Sequence, residues 1–400
     1  MLRVESPVEV RRLSPAGEHF FFGYYDRRAT GADGRRHLAL RVPFIDRPNT
    51  GADAAELGVL DLERGGEWDA LEFSPAWNWQ MGSCAEFLDL APAGTFVHNA
   101  REGRRLFARL RHVRGGVLRE YARPIYDSCL DGSYGISLNY ARLHGCRPGY
   151  GYPDADGADL DRAAPDDDGL WRVDLATGKC ELIVSLARVL GVETPPGARG
   201  TINWFNHVMI SPRGTRLHFL HRWRESAGRL ETRLFACRPD GSGLTLVNPG
   251  PGISHCDWLD EERILAWCQW RGSEWRYRLM DLAGGEPETV GGGLFEGDGH
   301  CSFLPGSAGR WVLTDTYPDR EEMRTLILFD RLDGVRHDLG RFLSPGRLGG
   351  EIRCDLHPRW DAPRRQVTFD SVHEGFRGIY SADLRGLLAG PATTITGTHG

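Results

Sequence analysis

Asn206-His207-Val208-Met209-Ile210-Ser211-Pro212-Arg213-Gly214-Thr215-Arg216-Leu217-His218-Phe219 sets a histidine beside a short apolar run, then a Ser-Pro-x-Gly turn and a second run. The layout returns along the chain. Ser254-His255-Cys256-Asp257-Trp258 precedes Arg263-Ile264-Leu265-Ala266-Trp267, and Gly299-His300-Cys301-Ser302-Phe303 precedes Arg310-Trp311-Val312-Leu313. Leu356-His357-Pro358-Arg359-Trp360 precedes Gln366-Val367-Thr368-Phe369. Copies spaced by roughly 50 residues match propeller blades, four-stranded sheets that bury their faces only by stacking on neighbours. Histidines at one phase of such a repeat converge on one axis.

Working backwards, Trp171-Arg172-Val173-Asp174-Leu175 reads as the third strand of a blade whose fourth strand begins at Cys180. Leu57-Gly58-Val59-Leu60-Asp61-Leu62 does the same in a first blade that opens with Glu18-His19-Phe20-Phe21-Phe22-Gly23-Tyr24-Tyr25-Asp26, and Thr95-Phe96-Val97-His98-Asn99 anchors a second. The expectation is an all-β, seven-bladed β-propeller in one domain over residues 1–390, with blades at about 17–65, 72–125, 126–187, 201–248, 252–291, 294–341 and 350–390. Val8-Glu9-Val10-Arg11-Arg12-Leu13 reads as a strand that completes the last blade and covers its edge. Residues 147–168, rich in Gly, Tyr, Pro and Asp, form the longest insertion and are expected to overhang one mouth, which makes Arg147 a candidate substrate contact. Residues 391–400 read as a tail without a strand partner.

Composition agrees with this reading and narrows the function. The 400 residues are 40% apolar and 10% aromatic, enough for a large core, and the 51 glycines and 23 prolines suit many short strands. There is no apolar run long enough to span a membrane and no secretory signal at Met1-Leu2-Arg3-Val4-Glu5-Ser6-Pro7, so a cytoplasmic protein is expected. Nine cysteines without a C-x-x-C pair read as free thiols in a reducing compartment. A formal charge of −6 with interspersed signs supplies no basic stripe for nucleic acid, while local arginines suit an acidic sugar.

His207, His255, His300 and His357 share a phase just before the innermost strand of separate blades, which brings their imidazoles to the top of the channel. Neutral imidazole is a ligand for divalent metals, and Asp355 adds a carboxylate oxygen if it lies on the strand face of His357. The alternative is that each histidine only hydrogen-bonds between blades. In Glu351-Ile352-Arg353-Cys354-Asp355-Leu356-His357, alternation puts Glu351, Arg353, Asp355 and His357 on one face if the run is extended, as an ion-pair network or as a site for an anionic substrate. In His221-Arg222-Trp223-Arg224, taken to follow a strand, Arg222 is placed to reach a carboxylate and Trp223 to offer a flat face to a sugar, with His221 beside them. Gly23-Tyr24-Tyr25-Asp26, Asn78-Trp79-Gln80 and Asp315-Thr316-Tyr317 add polar and aromatic groups around the ring. No G-x-S-x-G elbow, phosphate-cradling loop or H-E-x-x-H motif is present. Carboxylate pairs for glycoside hydrolysis stay open among Asp26, Asp127, Asp315 and Asp370.

At residues 206–219, 254–258, 298–303 and 355–383 the chain resembles the oligogalacturonate lyases, seven-bladed propeller enzymes of polysaccharide lyase family 22. The resemblance covers roughly the C-terminal half. Part of it is the generic TolB-type repeat, here Trp360, Val367, Phe369, Glu374-Gly375 and Ile379-Tyr380. It implies a metal-assisted β-elimination on a uronate oligosaccharide, with manganese as the cofactor and zinc, iron or calcium as alternatives. The family's metal-binding histidines match His255 and His357. The middle histidine of its Gln-x-x-His-x-His run is Asp355 here, its Gln has no counterpart, and His300 stands as a substitute ligand. The family's catalytic histidine matches His207. The resemblance then assigns His207 as the base at C5, Arg222 or Arg353 as partner of the substrate carboxylate, and Tyr25 as proton donor to the leaving oxygen. The other reading is a non-catalytic TolB/WD-like propeller that binds a glycan or protein through the same mouth, and a propeller glycoside hydrolase is a third.

Overall fold

The computed structural model describes residues 2–225, 228–250 and 252–388, and the expected tail at 391–400 lies outside them. Among the described residues the strands form seven sheets, and the architecture is a seven-bladed β-propeller. From the channel outward, blade one is His19–Phe21, Arg36–Val42, Ala55–Asp61 and Glu67–Ser74. Blade two starts at Glu86–Phe87, blade three at Asp127–Ser128, blade four at Asn203–Ile210 and blade five at Ile253–Trp258. Blade six starts at Ser302–Phe303 and blade seven at Arg359–Asp361.

Blade limits match the repeat closely from blade three to blade five. The largest shift is in blade two, expected from residue 72 but starting at Glu86–Phe87, because blade one's fourth strand runs to Ser74 and takes residues 72–74. Glu67–Ser74 is mostly exposed, so it carries little apolar alternation for a sequence reading to use.

The N-terminus closes the ring as expected. Val10–Arg12 pairs antiparallel with Gly378–Asp383 and caps the outer edge of blade seven, with Val10 opposite Ala382. A second fastening was not foreseen: Leu2–Glu5 lies parallel on Val335–Leu343 as a fifth strand of blade six. Both cover backbone donors and acceptors that an open edge would leave bare.

Between blades, apolar side chains such as Phe219, Phe235, Leu220 and Trp258 fill the contacts. Carboxylates near the channel tie one blade to the next through backbone N–H groups. Asp127 accepts from Ile210 (2.6 Å), Asp257 from Phe303 (2.6 Å), and Asp370 from Phe22 and Gly23 (3.2 and 3.3 Å). A charged acceptor on a buried N–H gives a stronger bond than a neutral one, so each innermost strand is set against its neighbour.

Candidate active site at the centre of the propeller

The innermost strands are irregular where the histidines lie. Pairing in blade four slips between Asn206 and Met209, and in blade five between Ile253 and Cys256. His207 and His357 sit in the left-handed region at φ 49° and 43°. That conformation disfavours a side chain with a Cβ, and it persists here because the backbone is held from outside. The His207 N–H donates to the Tyr126 hydroxyl (3.0 Å), and the His300 and His357 N–H groups both donate to Asp315 (2.8 and 3.2 Å). A bulge re-aims a side chain that the strand's alternation would have sent into a blade face.

Four imidazoles meet as a result. Ring centroids lie 5.7 Å apart for His207 and His255, 4.1 Å for His255 and His300, and 4.3 Å for His300 and His357. The phase inferred from sequence is correct in effect, although His207 and His255 lie within the innermost strands and not before them. Tyr24 stands in their midst, stacked on His207 at 5.2 Å and edge-on to His357 at 4.8 Å. Its hydroxyl is 3.4 Å from His207 Nε2.

Two of the imidazoles are oriented by carboxylates. His300 Nδ1 is 2.8 Å from Asp315 and His255 Nδ1 is 3.0 Å from Asp298. An ionised carboxylate only accepts, so the proton stays on Nδ1 and the Nε2 lone pair faces away, as in carboxylate–histidine–metal arrangements. Nε2 of His300 and of His357 is buried without a hydrogen-bond partner. Among the described residues His300, Asp355 and His357 bring one ligand atom each within 4.8 Å of one another, and His255 stands beside that trio. Orphaned Nε2 atoms on His300 and His357, with His300 backed by Asp315, fit a divalent metal. Asp355 fits less simply, because Arg353 donates to it at 2.7 Å and Arg324 lies at 2.6 Å. Burial alone would raise its pKa, but the two arginines hold it well below the usual carboxylate range.

The expected extended face over 351–357 does not form. Gly350–Ile352 is a turn of 3-10 helix and residues 353–358 are irregular, so Glu351 leaves the group while Arg353, Asp355 and His357 stay together through ion-pair geometry. Gln80, expected as a mouth donor, instead bonds the Glu351 and Arg353 carbonyls and fixes that segment. Trp79 is buried, with its indole N–H on the Arg47 carbonyl.

Arg222, His221 and Trp223 do not act as a unit. All three belong to one strand, Leu217–Arg224, so they alternate between faces. His221 and Trp223 point into the blade: His221 bonds Asn203 (2.8 Å) and Arg233 (3.2 Å), and Trp223 is 2% exposed, which removes the flat face expected for a sugar. Arg222 faces the channel with no carboxylate in ion-pair reach among the described residues and its Nε unbonded. Burial and the nearby Arg147 lower its pKa, and both arginines in turn help burial hold His207 neutral. Tyr25 also differs from expectation. Its ring also faces His300, but its hydroxyl donates to the Cys256 carbonyl at 2.8 Å, which leaves Tyr24 as the phenol whose hydroxyl reaches an imidazole nitrogen.

The insertion roofs this centre. Tyr150 packs edge-on to His207 at 5.6 Å, its hydroxyl accepts from Arg353 at 2.7 Å, and Arg147 lies 5.4 Å over its ring. Tyr24 and Tyr150 are the functional candidates that sequence reasoning missed. Tyr24 was weighed as one of an adjacent pair, and Tyr150 lay unresolved in a Gly/Tyr-rich loop.

A seven-bladed propeller with four central histidines, two of them backed by carboxylates, beside the buried Arg222 is the class these features define. No protein-family model matches the sequence, and no curated protein matches it. Among solved structures, an oligogalacturonate lyase in complex with manganese is similar at 15% identity and TM-score 0.67, over 94% of this chain and 93% of that one. An oligogalacturonate lyase from Vibrio parahaemolyticus is similar at 15% identity and TM-score 0.64, over 96% of each chain. The β-propeller domain of the Trilobed protease from Pyrococcus furiosus is similar at 11% identity and TM-score 0.51, over 91% of this chain and 96% of that one. The protein thus shares the propeller fold with oligogalacturonate lyases and, less closely, with a protease propeller.

Proposed function

We propose that the protein is a metal-assisted lyase that cleaves short, uronate-containing oligosaccharides by β-elimination in the cytoplasm. The observation that carries this reading is the meeting of four buried imidazoles with the buried Arg222 and the half-buried Arg147, neither of which has an ion-pair partner among the described residues. Buried cations without counter-ions are costly, and a substrate carboxylate supplies the missing charge. The manganese complex of a structurally similar lyase and the nine free thiols of this chain support the metal and the reducing compartment.

His300 and His357, with His255 or Asp355, would hold a divalent cation, manganese first among the candidates. When bound, that ion stabilises negative charge on the substrate carboxylate as the adjacent carbon loses its proton. Arg222 and Arg147 orient the carboxylate beside His207. His207, kept neutral by burial and Arg222, takes the proton from C5. The C5–H electron pair becomes the C4=C5 double bond and the C4–O bond breaks. Burial raises the Tyr24 pKa well above that of free phenol, so Tyr24 stays protonated and gives its proton to the leaving oxygen in place of Tyr25. Tyr150 and the insertion exclude water from the product face.

The test is ultraviolet absorbance of the conjugated double bond on a panel of uronate oligosaccharides, with and without chelator. Product is expected from the metal-loaded protein and not from His207→Ala. Saturated sugar products would overturn the lyase reading in favour of hydrolysis, and full turnover by His207→Ala would remove that residue as the base.

A further inference from the structure

The segment after His19–Phe21 crosses the channel and divides it. Tyr24 and Tyr25 turn their rings to the histidines, whereas Asp26 lines a separate cavity of about 660 Å³. This cavity lies at the far ends of the innermost strands, against Met209, Asp257 and Phe303, each two or three residues beyond a central histidine. Four carboxylates line it: Asp26, Glu86, Asp127 and Asp257.

Their bonding is unequal. Asp127 and Asp257 are engaged as ties between blades. Asp26 is not, and Glu86 is tied through Oε1 alone, which accepts the Arg28 N–H at 3.2 Å; their side chains are only 2% and 4% exposed. Asp26 Oδ1 and Glu86 Oε2 are buried without a hydrogen bond. The cation among them, Arg27, donates from Nη1 to Asp127 at 2.9 Å, while its Nε, 3.5 Å from Asp26, and its Nη2 make no hydrogen bond and Nη1 stands 3.9 Å from Glu86, so one guanidinium faces three carboxylates. Burial and the Asp127 charge push Glu86 up to about 8, which marks a carboxylate short of counter-charge.

We propose that this cavity is a binding site for a small organic cation, an ammonium, amidinium or guanidinium on an apolar body, held by Asp26 and Glu86. Two orphaned acceptors ask for N–H donors, since a buried acceptor without a partner carries its full desolvation penalty. A compact metal ion does not match: among the described residues these carboxylates do not bring three ligand atoms within 4.8 Å of one another. Met209, Pro212, Trp258 and Phe303 give the apolar wall that an alkyl or aryl body would cover. The site stands independently of the lyase reading, because it shares no side chain with the histidine centre.

Calorimetric titration of the full chain with agmatine, benzamidine and calcium chloride tests it. Saturable binding of an organic cation is expected, weakened by about tenfold or more in Glu86→Gln, which keeps the shape and removes the carboxyl that a bound cation holds ionised. Leu130→Trp provides a second variant that leaves the buried cluster intact, since Leu130 lines the cavity and is 37% exposed; it should block binding by filling the space. No saturable binding of either organic cation, binding unaffected by both variants, or a response to calcium alone would each overturn the proposal.

Discussion

Arg222 lies in a strand whose neighbours His221 and Trp223 are consumed by packing, yet its own guanidinium is buried with no carboxylate in reach among the described residues. Such a group lowers stability unless a ligand supplies the charge, so binding and folding should respond to it in opposite directions. Replacing it by Met keeps the volume and removes the charge. For Arg222→Met, kcat/KM on a uronate oligomer should fall by about 10–100-fold, the range for losing a charge-assisted hydrogen bond. Melting temperature should hold or rise, as when a buried charge gives way to an apolar isostere. The sequence pointed to Arg222 for its charge and wrongly added its neighbours, because placing the strand's end before His221 hid the alternation. The choice of Tyr25 over Tyr24 failed for a related reason. Both follow a strand in irregular chain, where sequence position does not say which hydroxyl reaches a histidine nitrogen and which bonds the Cys256 carbonyl.

At the level of elements, the site depends on innermost strands that break their own pairing at the histidines. Asp315 links the segments that lead into the innermost strands of blades six and seven, accepting from the His300 and His357 backbones while it fixes the His300 ring. In Asp315→Asn the single amide oxygen can accept from only one of the two backbones, which the carboxylate serves through different oxygens, and the amide N–H₂ can now donate to His300 Nδ1. The imidazole proton then moves to Nε2 and closes the lone pair that a metal needs. Manganese or zinc affinity, measured by competition with a chelating dye, should drop by about 10–100-fold while the circular dichroism spectrum is retained. The histidine phase was legible because it repeats with the blades. The carboxylates behind the rings were not: Asp315 lies 15 residues after His300 and Asp298 lies 43 after His255, spacings that only the folded sheets relate. The segment 351–357 misled because alternating charge resembles a strand, whereas the Gly349-Gly350 pair starts a 3-10 turn.

For the whole molecule, ring closure decides whether the four histidines share a centre, since they come from blades four to seven. The repeat and the closing strand Val10–Arg12 were legible from apolar alternation, while Leu2–Glu5, mostly exposed, gave no such signal. The seam between blades seven and one has an outer fastening, Val10–Arg12 on Gly378–Asp383, and an inner one, where Asp370 holds the Phe22 and Gly23 N–H groups and Arg359 bonds the Gly23 carbonyl. The inner bonds are few and lie next to Tyr24, so they position the channel segment more than they resist opening. The outer strand completes a sheet whose edge would otherwise be bare. Removal of residues 1–6 should therefore cost little, since it takes away an exposed fifth strand. Removal of residues 1–13 should lower the melting temperature by more than about 5 °C and release bound metal in the same transition, because the blade that carries His357 loses its edge strand. Metal loss well below the melting transition in the longer truncation would instead show that the inner bonds alone hold the ring while the centre loosens.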